Sequence, residues 1–302
     1  MIESFLNYLT HERACSPHTV ISYGRDLWEF EAYLVKTESS IKIHDADTDL
    51  VRGWVMALMA EGCSATTVNR KLSSLRAYYK YLLRNEVISK SPMQGVRGPK
   101  KKKPLPQFVR ESDMECLLDE KLEGNSWEDM RERLVIQLFY ETGIRLSELV
   151  GLNVEDVDFG RKSIKVTGKR NKQRIIPVGD GLLKSLKEYI DIHPNSSSNE
   201  ELEAKEVSPL FVTDKGLRVY PGWVYRLVHK NLSQVVTLKK RSPHVLRHTF
   251  ATAMLNGNAE LEAVKELMGH ESVSTTQIYT HTTFEELKKA YNKAHPRASI
   301  NQ

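Results

Sequence analysis

Only three cysteines occur in the 302 residues, Cys15, Cys63 and Cys116. They are odd in number, far apart and in no Cys-x-x-Cys pair. That argues against a disulfide framework and a thiolate zinc site, and it suits a reducing compartment. No run approaches the ~20 apolar residues that span a bilayer. The opening Met1-Ile2-Glu3-Ser4-Phe5 has an early acid and no apolar run, so no secretory signal is expected. The expectation is a cytoplasmic protein without membrane insertion. A His-Glu-x-x-His pair, a cluster of Asp and Glu, and a P-loop are also missing. Their absence speaks against a two-metal nuclease or an ATPase, and no metal site is expected. There is no internal repeat.

What is present is ordinary globular material. Hydrophobic residues make up 40% of the chain, enough for normal cores, and the length suits two domains. Lys and Arg outnumber Asp and Glu by 44 to 39, a formal charge of +5. The excess permits a nucleic-acid partner, but the placement of the cations matters more than their sum.

Residues 1–90 predict an all-helical domain. Ser16-Pro17 reads as an N-cap with proline in the first helical turn. Val20, Tyr23, Leu27, Phe30 and Leu34 then recur at helical spacing. A second strong helix starts near Thr66 and buries Val68, Leu72, Leu75, Tyr79 and Leu82. Its other positions hold Arg70, Lys71, Arg76, Lys80 and Arg84. Such a face is ordinarily just solvated; rich in cations and poor in acids, it also suits DNA phosphates.

Residues 91–110 predict a basic linker. Prolines and glycines interrupt it, and Lys100, Lys101, Lys102 and Lys103 stand together without an acid. Residues 111–302 predict a second, mixed α/β domain. A helix around Met130–Thr142 stops at Gly143. Ser163–Thr167 and Arg174–Pro177 predict two strands of a small antiparallel sheet, with Lys169, Arg170 and Lys172 in the hairpin between them. The polar stretch 194–206 reads as a surface loop.

Several residues in this second domain suit attack on a phosphodiester without a metal. That reaction needs cations on the non-bridging oxygens, a nucleophile, and an acid for the leaving oxygen. Arg145 follows the glycine break, where a side chain can be aimed at an anion. His244 and Arg247 lie at i and i+3 behind Ser242-Pro243 and share a helix face. Arginine forks two phosphate oxygens at any working pH, and imidazole titrates nearest neutrality. His248 beside them reads as structural. His270 follows Gly269, a C-cap after a helix over 261–268. Tyr279 comes nine residues later, and Tyr225 and Tyr291 read as core tyrosines. Each signal is ordinary alone; their order and joint presence are specific. The residues leave open which hairpin base, Lys169, Arg170, Lys172 or Arg174, supplies the acid and which contact phosphate.

The whole set resembles the tyrosine recombinase (phage-integrase) family, most closely its Xer branch. The resemblance is carried by Thr142–Leu149, Gly168–Arg174, Ser242–Thr252, Gly269–His281, the N-terminal Thr19–Leu27 and the tail His295-Pro296-Arg297-Ala298. It implies a mainly α fold: a helical core-binding (SAM-like) domain and a mixed α/β catalytic domain that close on duplex DNA as a C-shaped clamp. It implies catalytic roles for Arg145, Lys169, His244, Arg247, His270 and Tyr279, with Lys169 as the hairpin acid. Neither metal nor cofactor is implied. Strands would exchange through a 3′-phosphotyrosyl link and a Holliday junction, in a homo- or hetero-tetramer with a related recombinase at a specific core site. A DNA translocase is a further implied partner. Resolution of chromosome dimers is the role expected; an integrase or invertase of a mobile element is the alternative, and a non-catalytic architectural DNA-binding protein is the rival from another class. The resemblance also implies that the C-terminal helix, Thr283–Asn292, docks on a neighbouring protomer. Deleting 283–302 is then expected to weaken assembly and strand exchange more than binding of one half-site.

Overall fold

The computed structural model describes residues 1–37, 41–101, 107–121, 126–168, 171–192, 208–238, 240–269 and 284–298. The chain divides into two compact units, Met1–Pro104 and Leu105–Gln302. Among the described residues no helix is long and apolar enough to cross a membrane.

Among its described residues the first unit holds four helices, α1 (Ile2–His11), α2 (Pro17–Thr37), α3 (Thr48–Ala60) and α4 (Ala65–Arg84). Short polar side chains start three of them. The Ser16 hydroxyl accepts the Thr19 N–H at 3.3 Å, and the Ser64 hydroxyl accepts that of Thr67 at 3.2 Å. An Asp47 carboxylate oxygen takes the N–H groups of Asp49 and Leu50. These bonds satisfy donors that a helix cannot pair internally. Asp47 marks the start of α3, and Val51, Trp54 and Leu58 form its buried face. They close on Leu27, Phe30 and Leu34 of α2 and on Val68, Leu72, Leu75 and Tyr79 of α4 in one core. Each such side chain contributes roughly 1.5–3 kcal/mol by leaving water.

The stretch after residue 90, expected as linker, is partly built into this unit. Met93 and Val96 are buried in its core. Arg76 donates to the Val96 carbonyl at 3.0 Å and Asn69 to that of Pro99 at 2.8 Å. Lys71 departs from the expectation of a phosphate-facing cation. It is 5% exposed, bonds to Glu29, lies 3.8 Å from Asp26 and sits over the Trp54 ring. The cause is Asp26, fully buried in α2. A buried carboxylate needs partners, and Arg70, Lys71 and Ser74 of α4 supply them.

The second unit opens with α5 (Glu111–Glu115), which runs into a π-helical turn, Cys116–Lys121. It continues through α6 (Trp127–Thr142), α7 (Leu146–Gly151), β1 (Val157–Asp158), β2 (Ser163–Thr167), β3 (Gln173–Pro177), α8 (Asp180–Asp191), α9 (Pro221–Leu232), α10 (Pro243–Asn256), α11 (Leu261–Met268) and α12 (Phe284–Ala294). The sheet is antiparallel in the order β1-β2-β3, with Ile164 opposite Ile176 and Val166 opposite Arg174. Helix α6 is the central strut. Leu134, Val135, Ile136, Leu138, Phe139 and Tyr140 are all buried, so it is covered on every side, as an apolar run of this kind requires. It packs against α8 and α10.

Gly143 ends α6 in the left-handed region, φ 58°, its N–H donating to Phe139. A Cβ there would stand 2.3 Å from the Phe250 ring of α10. Gly143→Ala therefore combines a left-handed alanine, ~1–2 kcal/mol, with overpacking, about 1–3 kcal/mol. A melting point lower by roughly 10 °C is expected by circular dichroism; an unchanged melt would show that the helix end rearranges freely.

The C-terminal helix, expected to dock on a neighbouring protomer, has one face packed in its own domain. Leu287, Tyr291 and Ala294 of α12 are buried in their own domain, against α10, α11 and β3. The following His295 ring stacks on Phe250 and Tyr291 and meets Tyr140 edge-on. Its Nδ1 accepts the Arg297 N–H, so Nε2 donates to the Tyr140 carbonyl at 3.1 Å. Burial holds its pKa down at about 4, which keeps it neutral. Arg297 forks Asp119 at 2.9 and 3.0 Å. Deleting 283–302 would thus uncover the domain core, and half-site binding and strand exchange should fall together. Tyr291 is fully buried as expected, whereas Tyr225 is 49% exposed and stacks on His229.

Candidate active site

The site is built on three helix ends and one strand. Arg145 precedes α7 in extended backbone, φ −81°, ψ 154°, because Gly143 has just turned the chain out of α6. Glu148, one turn into α7, reaches back and accepts the Arg145 N–H at 2.7 Å, the reciprocal half of a capping box. Its side chain is fully buried. Oε1 accepts Arg145 Nη1 at 2.8 Å and Arg174 Nη1 at 2.6 Å, and Oε2 accepts Arg174 Nη2 at 3.0 Å. Burial opposes the ionisation of Glu148, but the bonds from Arg174 and Arg145 outweigh it and hold its pKa at about 2. A depressed carboxylate stabilises the fold above its ordinary pKa. That contribution is lost as pH falls from about 4.5 to about 2.

Arg247 projects from α10 and is 5% exposed. It donates to the Gly143 carbonyl and, at 2.5 Å, to that of Met268. Arg145 Nη2 donates to Gly269 O at 2.5 Å, and Arg174 Nε to Leu267 O at 2.8 Å. Three guanidiniums therefore gather on three successive carbonyls at the end of α11, where the helix presents its negative pole. Gly269, φ 63°, provides the turn that exposes them. Three positive charges face one carboxylate, an excess of two. Burial first, then the charges of Arg145 and Arg174, push the Arg247 pKa down to about 10 against the pull of Glu148. An anion bound here would relieve that repulsion, and a phosphate has the matching geometry.

Ser242 occupies the N-cap position of α10, but its side chain makes no capping bond; Pro243 alone sets the first turn. His244 is exposed. Its pKa is lowered by partial burial and then by His248, Arg247 and Lys240, so near neutral pH it is an unprotonated base. His248, which reads as structural from sequence, stands on the same face one turn on, its ring 4.6 Å from that of His244 and edge-on. Spacing of i, i+4 makes the two neighbours.

The hairpin stem adjoins this cluster. Gly168 N–H donates to Lys172 O at 2.7 Å, and Asn171 adopts φ 58°. A Cβ on Gly168 would lie 3.2 Å from Glu148 Oε1 and 3.9 Å from Arg145 Nη1. Lys169 and Arg170 follow immediately and lie outside the described residues, as do His270, Tyr279, Lys102 and Lys103. Arg145, Arg247 and His244 of the expected catalytic set are placed, the first two in one cluster. Among the expected DNA contacts, Lys80, Lys100, Lys101 and Lys172 are exposed. Arg70 is tied to Asp26 and Arg76 to a carbonyl. Arg174 is not a free surface cation: 17% exposed, it is spent on Glu148 and Leu267. Sequence reasoning overlooked Glu148, for which the Glu three residues after Arg145 was the available signal.

The family model described as the phage integrase family matches residues 107–286, and that of the phage integrase N-terminal SAM-like domain matches 2–86. The chain belongs to the phage integrase family. Relatives named tyrosine recombinase XerC share its whole length. That of Thermodesulfovibrio yellowstonii is 38% identical over 98% of this chain and 96% of its own. That of Chlorobaculum parvum is 36% identical over 98% and 94%. As an Xer-like tyrosine recombinase the chain is an enzyme of site-specific DNA strand transfer. The fold agrees. The Tn1549 transposon integrase in complex with circular intermediate DNA superposes with a TM-score of 0.71 at 21% identity, covering 95% of this chain and 97% of its own. XerH recombinase bound to palindromic difH substrate gives 0.69 at 22%, covering 97% and 84%. In this domain Arg145, Arg174 and Arg247 gather positive charge at the end of α11.

Proposed function

We propose that Arg145 and Arg247 clamp the non-bridging oxygens of a scissile phosphate in duplex DNA, with His270 donating a further hydrogen bond. The Tyr279 hydroxyl attacks the phosphorus, and His244 takes its proton. A phosphorus–oxygen bond forms to tyrosine, and the bond to the 5′-oxygen breaks. Lys169 protonates that leaving oxygen, which completes a 3′-phosphotyrosyl link and a free 5′-hydroxyl. Attack by another strand's 5′-hydroxyl reverses each step, so the bond energy is retained and no high-energy cofactor is called for. The single observation behind this reading is the net excess of two guanidinium charges at the end of α11.

Two rounds of this exchange through a Holliday junction need four active sites, hence a homo- or hetero-tetramer with a related recombinase at a core site. The relatives' shared name favours chromosome dimer resolution over mobile-element integration, and a DNA translocase would act on the assembly. DNA bound in cells, once mapped, supplies the target duplex. A nicked suicide version of it should trap a covalent species on denaturing electrophoresis, with the nucleotide on the peptide carrying Tyr279. No joined species with the mapped target would end the proposal.

Lys169→Ala should slow cleavage about 10²–10⁴-fold, the usual worth of a general acid. A 5′-bridging phosphorothiolate, whose thiolate leaves without protonation, should restore the rate. Failure to rescue would move the acid role to another residue.

A further inference from the structure

We propose that Arg174 is a positioning residue of the strand-transfer site, holding Glu148 and Arg145 against the end of α11, and not a contact to DNA phosphate. The inference rests on the reading of Arg145 and Arg247 as the phosphate clamp. From sequence, Arg174 is one of several equivalent basic residues of the hairpin. In the structure it leaves that group. It stands on β3 opposite Val166, and its guanidinium is turned inward.

Its donors are directed three ways. Nη1 and Nη2 fork the two oxygens of Glu148 at 2.6 and 3.0 Å, and Nε reaches the Leu267 carbonyl at 2.8 Å. Glu148 in turn holds both the backbone N–H and the guanidinium of Arg145. One side chain thus ties the strand leaving the Lys169 hairpin to the α7 start that carries Arg145. The same side chain ties both to the α11 end that leads into His270. A Cβ on Gly269 would come within 3.0 Å of Arg174 Nη1, so the guanidinium fills the space beside that turn. A lysine has one ammonium and no planar fork; it cannot bridge both carboxylate oxygens and a carbonyl together.

The consequence is a division of labour within one hairpin. Lys172, two residues before Arg174, is exposed. Arg174 sets the aim of Arg145 and fixes the hairpin stem beside it. A misaimed clamp costs rate without weakening the encounter with DNA, because half-site affinity is spread over many other cations.

The test measures two quantities on Arg174→Gln: half-site affinity across a salt series, and the single-turnover rate constant of adduct formation on saturating nicked duplex. The expected result is an unchanged salt slope and a rate constant lower by roughly 10²-fold, the usual cost of a misplaced reacting group. Arg174→Lys should not rescue it. In a Glu148→Gln background, Arg174→Gln should cost only about threefold more, since the two act as one unit. A salt slope reduced by about one, with the saturated rate intact, would overturn the proposal in favour of a phosphate contact. A reduced active fraction with an unchanged rate constant, or full recovery with Arg174→Lys, would also overturn it. If the wild-type chain gives no adduct, the clamp reading has failed instead; the salt slope still decides whether Arg174 meets phosphate.

Discussion

Tyr279→Phe should abolish the covalent adduct on a nicked target duplex and leave half-site affinity within about twofold, because it removes a nucleophile and no cation. A free phenol ionises near pH 10, so at neutral pH the attacking phenolate must be stabilised by surrounding charge. The excess of two guanidinium charges around Glu148 is suited to that task, and His244, its pKa lowered, is suited to take the proton. On the proposed reading, binding draws on different residues: the clamp arginines and other exposed bases. The two readouts should therefore separate cleanly. A denaturing gel reports the adduct and a mobility shift reports binding. Adduct that persists in the Phe variant would assign the nucleophile elsewhere, and the chemistry proposed for the whole site would go with it.

Arg247→Ala should lower the single-turnover rate by about 10³–10⁵-fold, the scale on which a phosphate-stabilising arginine acts. The same substitution should cost stability, for a structural reason that does not apply to most catalytic arginines. Arg247 is 5% exposed and is the donor to the Gly143 and Met268 carbonyls. Each buried acceptor left without a partner costs roughly 1–3 kcal/mol. Arg247→Lys keeps the charge and one of the two bonds, so it should recover much of the stability and little of the rate, because a point charge does not replace a fork. Melting temperature and rate constant measured on both variants check this. The pKa of Arg247, near 10 in the free protein, adds a pH signature. Anion affinity should begin to fall as pH rises through that value, below the range in which an ordinary arginine loses its proton. Equal recovery of rate and stability by lysine would deny Arg247 any role beyond its charge.

The helices were legible where apolar spacing was strong and a short polar cap stood before it, as at Ser16 and Ser64. Helix α3 carries the same signals at Asp47, Val51, Trp54 and Leu58. The antiparallel pairing of β2 with β3 was legible from alternation around Gly168 and Asn171. Glu148 was harder. A glutamate one turn into a helix reads as a surface acid or a capping partner until two guanidiniums are seen to close on it. The histidines show the same limit: His248 was set aside, although spacing of i, i+4 already placed it beside His244.

The sequence by itself determined which chemical groups the protein owns and in what order. Two arginines, two histidines, a lysine and a tyrosine in this succession suit one reaction because their functional groups, not their surroundings, define it. It also determined the family, which the whole-length relatives share. Only the tertiary structure decided which cations are tools and which are fasteners. Lys71 is a fastener because Asp26 lies buried one helix away, and Arg174 because Glu148 is 26 residues back in the chain and in contact in space. The terminal helix packs on its own domain because α10, α11 and β3 together present an apolar face that no local pattern records. A charged side chain takes its role from its nearest opposite charge and from its access to water. Both are set by chain segments far apart in sequence, so neither is written in the spacing of residues.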